Sequence, residues 1–376
     1  MKKICVVTAA RSEYGLLRWT IEGIKKDPVL QLQLVVAGSH LDERYGMTYK
    51  EIEKDGYIID YKIPFLKEKL DKKGIAESMG MCILGFAEAF DSLKPDMVVV
   101  LGDRYELLPI CSAALIFNIP IAHISGGEVT IGAIDNEIRN AVSMMASLHF
   151  PGTMVAKNNL INMGISSESI HNVGEPSVEN AKRLPILNRN EIARLLDLDV
   201  HKKWISFTFH PETKSKISDC LEAVNTCLSI LIENEEVQVI AGYSNADFGG
   251  ERINSLLDEY QNKYPEVIRV KKNLGELLYT SLLSQASLMV GNSSSGIYET
   301  QIWKLPVLNI GRRQQGRPRS CNIIDCDMNL EDIMCKLNNL LNSNYDLNLG
   351  SIDNIFGNGT TSTQIVFYIK NFYGLE

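Results

Sequence analysis

The sequence predicts an α/β protein of two doubly wound parallel sheets, one in each half of the chain, facing each other across a cleft. Three observations carry this. At 376 residues the chain exceeds one ordinary hydrophobic core. Short apolar runs alternate with helix-length amphipathic segments, and the alternation stops near the middle and then restarts. Met97–Leu101 is apolar at every position, as a strand covered on both faces must be.

In the first half, Ile4–Thr8 reads as a strand and Tyr14–Lys26 as a helix that stops before Pro28. Leu32–Ala37 is the next strand, ending at Gly38-Ser39-His40. A helical stretch over Arg44–Lys54 leads to Tyr57–Ile63, and a helix through Ala76–Leu93 to the strand Met97–Leu101. That strand ends at Gly102-Asp103-Arg104, and a helix to Phe117 precedes a strand over Ile119–Ile124. In the second half Trp204–Phe209, Val237–Ala241, Val267–Val270, Leu288–Val290 and Val307–Ile310 read as strands separated by helices. Pro185 and the polar Asn188-Arg189-Asn190 mark the joint, at about residues 175 to 185. The expected division is residues 1–178 and 179–360, with the last helical segment, 361–376, returning to the first domain.

Composition narrows the class. The hydrophobic share of 45% and charged share of 22% belong to a globular protein. A net charge of −8 without runs of lysine or arginine argues against a nucleic-acid or anionic-membrane surface. The eight cysteines include no Cys-x-x-Cys and read as reduced, mostly buried thiols. The start turns polar too soon for a signal peptide, and no apolar stretch is long enough to span a membrane; the expected location is the cytoplasm.

Ligands of doubly wound sheets bind beyond the carboxyl ends of the strands, so the residues after each apolar run are the candidates. Gly291-Asn292-Ser293-Ser294-Ser295-Gly296 follows a strand and precedes a helix expected to run towards Lys304. Small residues let the backbone approach a diphosphate, and free N–H groups and serine hydroxyls donate to its oxygens. Glu299 is placed to accept the hydroxyls of a ribose. The loop is not a P-loop, because Gly-Lys-Ser/Thr is absent. Gly311-Arg312-Arg313 after the next strand, with Arg317 and Arg319, gathers positive charge for an anion in an acidic chain. Across the cleft, Arg11 follows the first strand, in a turn lacking the Gly-x-Gly-x-x-Gly of dinucleotide binders. Asp103, Glu128 and Asp135 supply carboxylates of the kind that proton abstraction from carbon needs, although Asp135 also fits a helix N-cap. His210, directly after its strand, is a candidate to stabilise a leaving phosphate. No metal-ligand spacing is present, so no catalytic metal is expected.

Together these segments resemble the hydrolysing UDP-N-acetylglucosamine 2-epimerases of sialic-acid-type synthesis. The resemblance runs in order through Arg11-Ser12-Glu13-Tyr14, Gly38-Ser39-His40-Leu41, Leu101-Gly102-Asp103-Arg104, His123-Ile124 with Gly126-Gly127-Glu128, His210-Pro211, Gly291-Asn292-Ser293-Ser294 and Gly311 with Arg313-Gln314. It implies a GT-B-like pair of Rossmann-like domains. It also implies elimination of UDP from C1–C2 followed by addition of water, giving N-acetylmannosamine and UDP without cofactor or metal. By position, Asp103, Asp135 and His210 match residues considered catalytic in the family, and Glu128 is the further carboxylate of the group. Arg11, His40, Arg104, Gly291, Ser293, Ser294, Glu299 and Arg313 are expected to contact the nucleotide-sugar, and a homodimer or homotetramer is implied. Many members read His-Ile-Glu-Gly-Gly where this chain has Ser125. A serine cannot move protons as a carboxylate does at neutral pH. Either Glu128 takes that part, or the substrate is instead the 2,4-diacetamido-trideoxy sugar of legionaminic-acid synthesis. A GT-B glycosyltransferase would share the nucleotide grip but need an acceptor, and a non-catalytic nucleotide-sugar sensor would bind without turnover and leave the clustered acids without a purpose.

Overall fold

The computed structural model describes residues 1–130, 134–212, 215–244, 249–342 and 355–375. They form two compact units, one of Met1–Val129, Ile134–Asn180 and Phe356–Glu376, the other chiefly Ala181–Ile355.

The first unit runs β1 (Lys2–Thr8), α1 (Arg11–Lys26), β2 (Leu30–Ala37), α2 (Tyr49–Lys54), β3 (Tyr61–Ile63), α3 (Lys72–Leu93), β4 (Met97–Leu101) and α4 (Leu107–Ile116). It continues with β5 (Ile121–Ile124), α5 (Asp135–Met145), β6 (Leu148–Phe150) and α6 (Met154–Asn162). All its strands are parallel, in the order β3-β2-β1-β4-β5-β6. The central strands are mostly apolar because they serve two cores. Cys5, Val7, Val98 and Val100 pack with α3, α4 and α5 on one face. Ile4, Val6, Met97 and Val99 pack with α1 on the other. Helix α7 (Pro176–Arg183) then leaves this unit.

The second unit runs α8 (Arg189–Leu196), β7 (Lys203–Thr208), α9 (Ile217–Ile232), β8 (Val237–Gly242), α10 (Gly250–Lys263) and β9 (Ile268–Lys271). It continues with α11 (Gly275–Gln285), β10 (Leu288–Gly291), α12 (Ser295–Tyr298), β11 (Val307–Ile310), β12 (Ile323–Cys326) and α13 (Leu330–Leu341). Its order, β12-β11-β10-β7-β8-β9, is the first sheet's order in corresponding strands. The last helix, α14 (Thr361–Phe372), lies on the first unit, where Ile365 and Ile369 join Leu17, Ile21 and Ile24 of α1. Its first turn is fixed by Glu179, which accepts from Ser362 N at 2.6 Å and Ser362 Oγ at 2.6 Å.

Four expectations change. The Arg44–Lys54 stretch is not one helix: Gly46 adopts φ +87° and separates a 3-10 turn, Glu43–Tyr45, from α2. The extended run Tyr57–Ile63 is a strand only over Tyr61–Ile63. The helix after Gly291 is a single turn, Ser295–Tyr298, followed by turns to Lys304. Strands β6 and β12, three and four residues long and each at an edge of its own sheet, add to those read from the sequence.

Candidate active site

The carboxyl edge of the first sheet collects the acids. After β4, Gly102 turns with φ +85° and presents Asp103. After β5, Ser125 is held at φ +59°, a region that side chains other than glycine rarely occupy, and Gly126-Gly127-Glu128 follow. Gly127, at φ +79°, has no room for a Cβ against the carbonyl of Ala156, so this loop must be glycine to lie on α6. Its carbonyl accepts from Asn159 Nδ2 at 2.9 Å.

The residue that joins these loops is Arg139, one turn beyond Asp135 on α5 and 1% exposed. Its Nη2 is ion-paired with Asp103 Oδ2, and its Nη1 donates to the Glu128 carbonyl at 2.8 Å. A guanidinium is deprotonated by no ordinary protein environment, so its buried charge is a permanent counterweight to carboxylates gathered above it. Asp135 is the first residue of α5 and half-buried, and Ile134 rather than Asp135 holds the N-cap position. One buried cation thus holds the Asp103 carboxylate and the main chain at Glu128, with Asp135 one helical turn before it on α5.

Sequence reasoning passed over three supports. His123 is fully buried, with Nε2 2.8 Å from the Gly102 carbonyl and Nδ1 3.1 Å from Ser143 Oγ, so it braces the Asp103 turn. Burial lowers its pKa to about 4, leaving it neutral. Glu13 folds back to accept from Ala9 N at 2.7 Å and Ala10 N at 3.2 Å, shaping the turn that carries Arg11. Burial, with the charge of Glu106, raises the Glu13 carboxyl's pKa. Glu175 is buried and accepts from Ser125 Oγ at 3.0 Å, and the absent side chain of Gly152 leaves it space. The signal for Arg139 was present: a charged residue at i+4 from Asp135 on a helix whose other inward positions, Ile138 and Val142, are apolar.

Three expected ligand contacts are engaged within the chain. His40 has both ring nitrogens in use, Nε2 3.0 Å from Thr8 Oγ1 and Nδ1 2.7 Å from Thr48 Oγ1. It is fully buried, which lowers its pKa to about 4. It pins the turn after β2 to the end of β1. Arg104 Nε lies 2.5 Å from Glu106 and 3.6 Å from Glu13, compensating those two buried acids. Arg11 forms an exposed ion pair with Glu51 at 3.0 Å, an interaction weak enough to exchange for a ligand anion.

The second sheet's carboxyl edge is built differently. Gly291 takes φ +138°, with its Cα against the Thr208 carbonyl, so any side chain would collide with β7. Asn292 then clasps the turn after β7: its Oδ1 accepts from His210 N at 2.7 Å and its Nδ2 donates to the His210 carbonyl at 2.9 Å. The Asn292 carbonyl accepts from Arg313 Nη1 at 3.2 Å and Gln314 Nε2 at 2.8 Å, which brings in the loop after β11. Glu212 secures that loop by accepting from Arg313 N at 2.9 Å. Burial and the neighbouring Arg313 lower the His210 pKa to about 3, so its imidazole is neutral and a hydrogen-bond partner rather than a cation.

Ser293 Oγ lies 3.0 Å from Ser295 Oγ, which in turn lies 2.5 Å from the Tyr279 hydroxyl. With α12 reduced to one turn, no long helix dipole is present, and the donors this loop offers are its hydroxyls and N–H groups. Burial and the charge of Glu276 push the Glu299 carboxyl up to about 8.

Two doubly wound parallel sheets of the same strand order, one edge acidic and the other hydroxyl- and arginine-rich, define a GT-B-like α/β protein. The family model described as UDP-N-acetylglucosamine 2-epimerase matches residues 22–370, and the chain belongs to that family. It is 40% identical over 328 residues to the GDP/UDP-N,N'-diacetylbacillosamine 2-epimerase (hydrolyzing) of Campylobacter jejuni, covering 87% of this chain and 85% of that one. It is 34% identical over 370 residues to the UDP-N,N'-diacetylbacillosamine 2-epimerase (hydrolyzing) of Legionella pneumophila, covering 98% and 96%. The crystal structure of the Methanocaldococcus jannaschii UDP-GlcNAc 2-epimerase in complex with UDP-GlcNAc and UDP has the same fold, with a TM-score of 0.78, 19% identity and coverage of 98% and 99%. No helix among the described residues is long and apolar enough to cross a membrane.

Proposed function

We propose that this chain is a hydrolysing 2-epimerase whose substrate is a UDP-linked 2,4-diacetamido-trideoxy sugar. Of the two sugars expected from the sequence, the two relatives described above favour this one over UDP-N-acetylglucosamine, since both are named for N,N'-diacetylbacillosamine. The observation that carries the chemistry is the buried Arg139 beneath Asp103 and the Glu128 loop. A hydroxyl-lined nucleotide grip serves any UDP-sugar enzyme, but carboxylates gathered at one edge supply the base that breaking a C2–H bond requires.

In this reading Ser293 and Ser294 donate to the diphosphate, Arg313 and Arg11 neutralise it, and Glu299 accepts the ribose hydroxyls. One carboxylate of Asp103, Glu128 and Asp135 takes the C2 proton. The electron pair of that bond forms the C1–C2 double bond as the C1–O bond breaks, and UDP leaves with that oxygen. Neutral His210 donates a hydrogen bond to the departing phosphate. A C2–H is a poor acid until charge develops at C1, so the two halves of the step depend on each other. A second carboxylate then directs water: hydroxide joins C1 and a proton joins C2 from the opposite face. The products are UDP and a free 2-epimeric amino sugar. His40, Arg104 and His123 position these groups from behind.

The test is incubation of the purified protein with UDP-N,N'-diacetylbacillosamine and, separately, UDP-N-acetylglucosamine, with products separated by chromatography. Free epimeric sugar plus UDP, formed faster from the diacetamido substrate, is the expected result. Preference for UDP-N-acetylglucosamine overturns the substrate; a product that keeps UDP, or release that requires an added acceptor, overturns the reaction.

A further inference from the structure

Three aliphatic hydroxyls and one phenol meet at the end of β10, and the phenol comes from another element. Ser293 and Ser295 follow β10, Thr208 ends β7, and Tyr279 stands on α11. The Tyr279 ring packs against a small core of Leu283, Met289, Leu305 and Val307, which fixes where its hydroxyl lies. That hydroxyl is 2.5 Å from Ser295 Oγ, and Ser295 Oγ is 3.0 Å from Ser293 Oγ. The Thr208 and Ser293 hydroxyls also hydrogen-bond the phenol oxygen. Burial pushes the phenol's pKa well above its usual value, so it keeps its proton at neutral pH. Phenylalanine would fill the same apolar space, so packing alone does not account for the hydroxyl.

What the hydroxyl adds is direction. A serine or threonine hydroxyl gives one proton and accepts on two lone pairs. A cluster of such groups alone has no preferred sense, and its protons can run towards a ligand or away from it. In the second case Ser293 turns lone pairs to an incoming anion and repels it. A phenol decides between the two. Its O–H, with a pKa of about 10 in water, is more acidic than an alcohol's, so it donates more strongly and accepts less well. With Tyr279 donating to Ser295, Ser295 donates to Ser293, and the Ser293 proton is left for the ligand. The order of burial agrees: Ser295 is buried and Ser293 half-buried, so the chain ends at its more exposed member. Hydrogen bonds in such a chain polarise one another, which strengthens the final donor.

We propose that Tyr279 is a positioning residue for the anion, fixing the Ser293 hydroxyl as a donor to the ligand's diphosphate through the hydroxyl chain it heads. This role rests on the placement of the diphosphate at Ser293 and Ser294 given above. It is independent of which sugar the nucleotide carries.

Calorimetry with UDP, and competition of uridine against UDP, test it on the full chain as wild type, Tyr279→Phe, Ser293→Ala and the double variant. Tyr279→Phe is expected to weaken UDP about fivefold, the worth of roughly one hydrogen bond, and uridine less than about twofold. A merely structural role would weaken both alike. Ser293→Ala is expected to weaken UDP at least as much as Tyr279→Phe does. In the Ser293→Ala background, Tyr279→Phe is expected to add less than about twofold, since the two side chains act on the anion as one unit. Ser293→Ala that leaves UDP binding unchanged overturns the placement of the diphosphate, and the role of Tyr279 with it. If Ser293→Ala weakens UDP, the role of Tyr279 alone is overturned by any of three results: Tyr279→Phe without effect on UDP, equal losses of UDP and uridine, or additive losses in the double variant.

Discussion

The carboxyl edges of the two sheets share a topology and differ in material. In the first unit the candidate groups are acids, and arginines fix their surroundings: Arg139 pairs with Asp103 and donates to the Glu128 carbonyl, and Arg104 lies beside Glu13 and Glu106. In the second they are serine hydroxyls, backbone N–H groups and a loop arginine, and what fixes them is neutral hydrogen bonding through Asn292. An edge that gathers carboxylates suits moving a proton; one built of hydroxyl, N–H and arginine donors suits holding an anion that arrives and departs. The proposed function gives the same strand order two tasks, set by the residues at its strand ends.

Changes in the first unit should reduce turnover while leaving UDP affinity nearly intact, and changes in the second the reverse. The largest effect is expected from Asp103→Asn, a fall in kcat of roughly 10²–10⁴-fold with the Kd for UDP, measured by calorimetry, changed by less than about twofold. A comparable loss of UDP affinity would erase the distinction. Arg139→Met should follow, lowering kcat on the order of 10²-fold and stability by about 3 kcal/mol in urea unfolding, because Asp103 loses its counter-charge.

The Glu299 carboxyl sharpens the other side. Its pKa is raised to about 8, and in the proposed site ribose hydroxyls donate to its ionised form. Its ionised fraction grows from about one-tenth at pH 7 to about nine-tenths at pH 9, so UDP should bind up to about tenfold more tightly across that range. Stability moves the other way: the folded protein holds this proton where the unfolded chain has lost it, so the contribution falls as pH rises from about 4.5 to about 8. Glu299→Gln should flatten both dependences, read by calorimetry and by urea unfolding. The smallest effect is expected from Ser125→Ala, which removes one hydrogen bond to Glu175 and costs about 1 kcal/mol of stability, read from the urea midpoint.

Most of the fold was legible because buried parallel strands are apolar at successive positions, as Met97–Leu101 is. Strands β6 and β12 were not read, because Leu148-His149-Phe150 and Ile323-Ile324-Asp325-Cys326 are short edge strands interrupted by polar residues. Helix α12 was read too long, since nothing in the run from Ser295 to Lys304 marks where a single turn gives way to further turns. The strand-end motifs identified which loops matter but not which of their side chains face outward. His40 and Arg104 have the right chemistry for a ligand and spend it on Thr8, Thr48, Glu13 and Glu106. Arg139 and Glu175 lay outside the strand ends, and only folding brings them to Asp103 and Ser125.

The central claim is that the acidic edge removes a proton from C2 while the other edge releases UDP. Proton NMR of UDP-N,N'-diacetylbacillosamine turned over in deuterated water tests it most directly. The account predicts a free 2-epimeric sugar with deuterium at C2 and an equal amount of UDP; a released sugar that keeps its C2 protium would contradict it.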